Sequence, residues 1–169
     1  MVNINFAKVR PDAIIPSKRD EDMGFDIYAC FDEDYIVIHP HETKLIPTGI
    51  ASACDPEYGL VLHERGSTGS KGIALRAGVI DSGYRSEWFV GLTNTTDKVL
   101  FISKLSEQET YNDYYQGIKP ESFVYPYSKA IAQALVEPVP KVNVKEILYE
   151  ELQQISSERG CGALGSSGK

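Results

Sequence analysis

The chain has 169 residues, 42% of them hydrophobic and 24% charged, with a formal net charge of -7. That length suits one domain with a real core, and the composition argues against wholesale disorder. The acidic balance argues against duplex nucleic acid as a partner, which would need many Lys/Arg–phosphate contacts, but leaves room for a small anionic ligand.

The opening "MVNINFAKVRPDAIIP" has neither a basic segment nor an apolar block, so it reads as no secretory signal. No apolar run approaches the roughly 18 residues of a membrane span. Cys30, Cys54 and Cys161 are odd in number and widely spaced, which fits a reduced, intracellular chain.

Taken in chain order, "MGFDIYAC" places Asp26 between two aromatics on a strand. An acid there is costly unless paired, near a metal or turned outward. "DYIVIHP" is a β-branched run closed by Pro40, and "TKLIPTGIASA" and "YGLVLHE" read as further strands. His39 and His41 lack a third metal partner nearby and read as a solvated turn. His63 adjoins a basic loop with no evident catalytic role.

That loop, "HERGSTGSKGI", could present backbone N–H groups to an anion, with Arg65 and Lys71 supplying charge, or could simply be a flexible connection. It is not a Walker A loop, and no helix pattern follows it. In "GVIDSGYRSEW" an apolar strand (Val79, Ile80) delivers Asp81 to a tight turn, with Tyr84 beyond. A carboxylate on such a corner can act as a general base, or can cap the turn with its own backbone.

"EWFVGLTN" and "KVLFIS" read as strands joined by the turn "TTD". "ETYNDYYQGIKPESFVYPY" gathers tyrosines with little periodicity. The flanking prolines and short length make "IAQALVEPV" a strand, while Ile147, Leu148, Leu152 and Ile155 in "VKEILYEELQQI" follow a helical stripe. The tail "ERGCGALGSSGK" is either a frayed end or a glycine-rich wrap for an anion. Many short strands between Gly, Pro and Asp turns point to an all-β barrel or sandwich.

Together and in order, "MGFDIYAC", "ERGSTGSKGI", "AGVIDSGYRSE", "AIAQALV" and "RGCGALGSSG" resemble the five motifs of the homotrimeric dUTP pyrophosphatases (dUTPases). The resemblance implies a jelly-roll-like β-barrel over residues 1–150, with a tyrosine-rich insertion at 105–127 that could contact a protein partner. Residues 151–169 would form an arm and glycine-rich lid exchanged between subunits of a homotrimer. The stretch 145–155 would then run extended, against its helical stripe.

The implied reaction is Mg²⁺-assisted hydrolysis of dUTP to dUMP and pyrophosphate. Asp81 would deprotonate the attacking water. Tyr84 would pack under the deoxyribose, and the backbone of Gly78, Val79 and Ile80 would read uracil. Arg65 and the amides of Gly66, Ser67 and Thr68 would hold the α- and β-phosphates, with Gln133 in support. Asp26 would touch Mg²⁺-bound water. From the lid, Arg159, Ser166 and Ser167 would reach the γ-phosphate, while Leu164 and Gly165 would close over the nucleotide.

Three positions depart from the family pattern. Gly66 stands where serine usually follows the arginine, Ala130 where arginine precedes Ile-Ala-Gln, and Leu164 where an aromatic stacks on uracil. These departures motivate a second expectation, a weakened module that senses dUTP. A third is the related deaminase of dCTP, but Gly91 occupies the place of the glutamate that family needs.

Overall fold

The computed structural model describes residues 2–160, so Cys161, Leu164, Gly165, Ser166 and Ser167 lie outside the described residues. Two compact units divide the chain, the first ending at Val139 and the second beginning at Pro140.

The first unit is mostly strand. Its elements are β1 (Ile4–Lys8), β2 (Phe25–Ile27), β3 (Tyr35–Ile38), β4 (Thr43–Pro47), β5 (Ile50–Cys54), β6 (Tyr58–His63), α1 (Gly66–Gly69), β7 (Ile73–Arg76), β8 (Val79–Ile80), β9 (Phe89–Asn94), β10 (Val99–Ser103), α2 (Glu107–Tyr114), β11 (Ser122–Pro126) and β12 (Ala132–Pro138). The strands read from the β-branched runs are all present.

Four ladders organise them: β1-β5, β11-β10-β3, β2-β12-β6-β8 and β4-β9-β7. Strands β9 and β10 are apolar almost throughout and buried on both faces, as continuous rather than alternating hydrophobic strands require. Around them the core closes over Trp88, Ile27, Ile38, Leu60, Leu92 and Leu100, each at most 1% exposed. Burial of such side chains contributes about 1.5–3 kcal/mol apiece.

Two segments differ from expectation. The tyrosine-rich stretch is ordered by a helix and a strand. Ser106 caps α2 by accepting from the Glu109 amide, and the Glu109 carboxylate reaches back to the Ser106 amide at 3.0 Å. That reciprocal pair satisfies two donors that a helix start leaves open. Strand β11 then pairs in parallel with β10. The tyrosines pack inward, with Tyr35, Tyr111, Tyr114 and Tyr115 all ringing Phe101 at centroid distances of 5.0–6.0 Å. Tyr35 donates to Asp113 at 2.6 Å, and the carboxylate pushes its phenol up to about 12. Tyr111, Tyr114 and Tyr115 therefore build a small second core, while Phe123, Tyr125 and Tyr127 join the main one.

The second correction lies in the second unit. Residues Tyr149–Gln154 form a helix, α3, where an extended arm was expected. The helical stripe was the truer signal. Its residues Leu148, Leu152 and Ile155 are more than half exposed in the single chain.

Candidate functional site

The sheet β2-β12-β6-β8 positions the chemistry. Its register sets Asp26 opposite Gln133, and Gln133 opposite His63. These residues share one end of the sheet, where β6 runs on into Arg65. Arg65 Nε lies 2.9 Å from Asp26 Oδ1, and Nη2 donates to Oδ2 at 3.3 Å. The acid on the strand is thus a paired one, as its half-buried position demands.

The loop after Arg65 closes into the one-turn helix α1, where no helix was expected. Thr68 causes it: its hydroxyl accepts from the Arg65 amide and donates to the Arg65 carbonyl, both at 3.0 Å. The amides of Thr68 and Gly69 also donate to that carbonyl. Thr68 is 1% exposed and turned inward, so its part is to shape the turn that presents Gly66 and Ser67. Gln133 Nε2 donates to the Glu64 carbonyl at 2.8 Å and holds the same loop to β12. The Glu64 carboxylate accepts from the Leu75 amide at 2.9 Å, and this bond draws its pKa below the ordinary glutamate range.

A cavity of about 800 Å³ opens here, lined by Asp26, Arg65, Gly66, Ser67, Gln133 and the loop from Ser17 to Gly24. In that loop Arg19 pairs with Asp22 at 2.8 Å. Among the described residues, no group of three or more His, Cys, Asp or Glu side chains could hold a metal ion.

The second part of the site lies on β8. This strand is an edge, joined to β6 with Leu60 opposite Ile80. The Leu62 amide donates to the Gly78 carbonyl at 2.7 Å, so Gly78 and Ile80 turn their backbone groups toward β6. By the alternation of antiparallel pairing, Val79 turns its own outward, and its side chain is 73% exposed. Gly78 is required here, because a Cβ would sit 2.6 Å from the Leu62 carbonyl oxygen. Ala77 beside it takes a φ of 54°, which completes the tight entry to the strand.

Asp81 follows β8 and is exposed, with the Tyr84 amide donating to its carbonyl at 3.0 Å. Tyr84 donates its hydroxyl to the Glu87 carbonyl at 2.9 Å, which fixes an exposed ring face. Arg85 buttresses the turn by donating to the carbonyls of Ser52, Ser82 and Tyr84. Sequence reasoning passed over Arg85, though a basic residue just beyond an acidic turn was a usable signal.

The structure therefore brings Asp26, Arg65, Gly66, Ser67 and Gln133 together around one cavity, while Gly78, Val79, Asp81 and Tyr84 follow one another along β8 and its turn, from beside Leu62 toward the other end of β6. Carrying the Leu60–Ile80 register one residue further sets Asp81 level with Gly59, six residues before Arg65, a span of up to roughly 20 Å at ~3.3 Å per extended residue. Arg159 belongs to the second unit, where its amide donates to Ser157 Oγ at 3.2 Å.

At Gly91 a Cβ would meet the Arg76 carbonyl oxygen at 2.7 Å, so a larger side chain there would force the β7–β9 backbone to shift. No described helix is long and apolar enough to cross a membrane.

Comparison with known proteins agrees with this geometry. The dUTPase family model matches residues 10–106. The deoxyuridine 5'-triphosphate nucleotidohydrolase of Nautilia profundicola is 31% identical over 99% of this chain and 100% of its own. The enzyme of the same name from Neisseria meningitidis is 34% identical over 86% of this chain and 81% of its own. Among solved structures, a dUTPase variant from Staphylococcus bacteriophage 80alpha with dUpNHpp superposes with a TM-score of 0.75, at 21% identity over 99% of both chains. That likeness bears out the all-β, jelly-roll-like fold, and the sequence matches establish that the chain belongs to the dUTPase family.

Proposed function

We propose that the protein hydrolyses dUTP to dUMP and pyrophosphate. The observation that carries this reading is the convergence of Asp26, Arg65, Gly66, Ser67 and Gln133, from three distant stretches of sequence, on one open cavity. The shared activity named for its full-length relatives supports it.

Arg65 and the amides of Gly66 and Ser67 hold the α- and β-phosphates, on the turn that Thr68 shapes. The outward backbone of Val79, between Gly78 and Ile80, offers paired donor and acceptor groups to the uracil edge. A site built on such pairing can reject a wrong base by about 10⁴–10⁵. Tyr84 presents its ring to the deoxyribose and leaves no space for a 2′-hydroxyl. Asp81 takes a proton from water as the water oxygen bonds to the α-phosphorus. The bond from that phosphorus to the bridging oxygen breaks, and its electron pair departs with pyrophosphate. The rest of the catalysis is positioning and charge neutralisation.

The residues present fit a divalent ion only as part of the substrate. Of the acids lining the cavity, Asp26 is engaged by Arg65 and Asp22 by Arg19, and Glu21 lies on the same loop as Asp22. Asp26 would touch water on Mg²⁺ carried by the triphosphate oxygens, where the ion supplies charge neutralisation.

The site is shared between protomers. A base at the α-phosphate and an arginine on the α- and β-phosphates cannot work roughly 20 Å apart. A closed homotrimer, the assembly of the family motifs, would set Asp81 of one copy against Arg65 of the next. Arg159, Leu164, Gly165, Ser166 and Ser167 would reach the γ-phosphate and cover the uracil from a neighbouring copy.

Pyrophosphate release measured with dUTP, dCTP, dTTP and UTP side by side tests the reading. Only dUTP should turn over, and Asp81→Asn should abolish turnover while nucleotide binding persists. Ammonia release from dCTP, or unchanged turnover in Asp81→Asn, would refute it.

A further inference from the structure

Tyr125 is 1% exposed, yet it carries a hydroxyl into the core. Phenylalanine would fill the same space without a polar atom to satisfy, so the hydroxyl needs a physical reason. It lies in β11 opposite Ile102, within the stretch whose Tyr111, Tyr114 and Tyr115 surround Phe101, but it belongs to the main core instead.

The hydroxyl donates to the Ala130 carbonyl at 2.7 Å and lies 3.3 Å from Ser67 Oγ. A phenol has one proton, and the carbonyl can only accept, so that proton is committed to Ala130. Ser67 must then donate to the phenolic oxygen. Its own oxygen is left to face Arg65, whose Nη1 donates to Ser67 Oγ at 3.4 Å and to the same Ala130 carbonyl at 3.5 Å. The two groups flanking Arg65 Nη1 are thus the two that Tyr125 holds.

From this geometry we infer that Tyr125 is a positioning residue of the phosphate site: its hydroxyl orients Ser67 and the Ala130 carbonyl, and through them Arg65. This rests on the reading of Arg65 and Ser67 as phosphate ligands. Ala130 has no side chain with which to reach into the site, and its backbone oxygen becomes the shared anchor of a buried phenol and a guanidinium. A strand of the insertion is thereby wired to the phosphate loop.

The test is a double-mutant cycle on Tyr125→Phe and Ser67→Ala in the full-length protein. Two readouts are taken, affinity for inorganic pyrophosphate by calorimetry and kcat and KM for Mg²⁺–dUTP. Tyr125→Phe keeps the ring and should weaken pyrophosphate binding by roughly five- to tenfold, the worth of one hydrogen bond at this site. The double variant should lose less than the product of the two single losses, because both changes sever one chain of contacts. The turnover defect should fall mainly on KM, since Arg65 and Ser67 grip ground state and transition state alike. Unchanged affinity in Tyr125→Phe, or strictly multiplicative losses, would overturn the inference, because a hydroxyl that only stabilises the core would not couple to Ser67. Absence of dUTP turnover in the wild-type protein would defeat the functional reading, while the pyrophosphate arm would still decide the role of Tyr125.

Discussion

Asp26 and Arg65, 39 residues apart in the chain, meet through both carboxylate oxygens in the lining of the cavity beside β2 and β12, at 2.9 and 3.3 Å. The pairing holds a long, flexible guanidinium in place before any substrate arrives, so less side-chain freedom is lost when the phosphates bind. Asp26→Asn keeps the shape and removes the charge. The expected result is a rise in KM and a fall of roughly tenfold in kcat/KM for dUTP, equivalent to about 1.4 kcal/mol. Steady-state kinetics at saturating Mg²⁺ checks it, because added metal should not restore the loss if orientation of Arg65 is at stake.

The distance from Asp81 to Arg65 along the sheet makes a second prediction. With dUTP far below the wild-type KM, Asp81→Asn and Arg65→Ala proteins should each be nearly inactive alone. Unfolded together, refolded and assayed, they should recover activity. With random assembly, about one site in four pairs an intact Asp81 with an intact Arg65 from a neighbour. Recovery near a quarter of the wild-type rate is the expected outcome, and no recovery would place both residues of a site on one chain.

Gly66 offers a gain rather than a loss. A Cβ there meets nothing within 4 Å, so a serine fits without rearrangement. Its hydroxyl would sit at the place where the family motif carries one. A hydrogen bond to a charged phosphate is worth about 1.5–3 kcal/mol, so Gly66→Ser should raise kcat/KM by roughly tenfold or more. Pyrophosphate release under limiting dUTP would show it.

Glu64 carries a pH signature. Its pKa is shifted below the ordinary value of 4.5, chiefly by the bond from the Leu75 amide. A carboxyl group lowered in the folded state stabilises the fold above its unfolded value. That contribution fades as pH falls through the folded value. Glu64→Gln should therefore melt below the wild type at about pH 6, with the gap narrowing toward about pH 3. A gap that stayed constant across this range would show that the charge of Glu64 is not involved.

Much of this was legible in the residues. The β-branched runs located the strands, and the acids and glycines at strand ends marked both halves of the site. Three things were hidden. Thr68 binds its own turn into a helix, and no window of four residues can show a periodicity. The Tyr-rich stretch lacks a helical stripe because α2 buries only Thr110 and Tyr111, yet Ser106 and Glu109 had the spacing of a capping box. Tyr125 gave no sign of itself, because a tyrosine that packs and a tyrosine that positions look alike until a carbonyl and a serine are seen around its oxygen.

Gly91 shows how a scaffold can narrow the futures open to it. A Cβ added there would meet the Arg76 carbonyl within the β7–β9 ladder, so the acid expected of the related deaminases could not arrive by substitution at that position alone. The strands would have to part first, at the expense of the ladder that holds Arg76 and the entry to β8. Two chemistries that seem one residue apart on paper are separated here by the backbone, and drift from one to the other would have to pass through an unfavourable sheet.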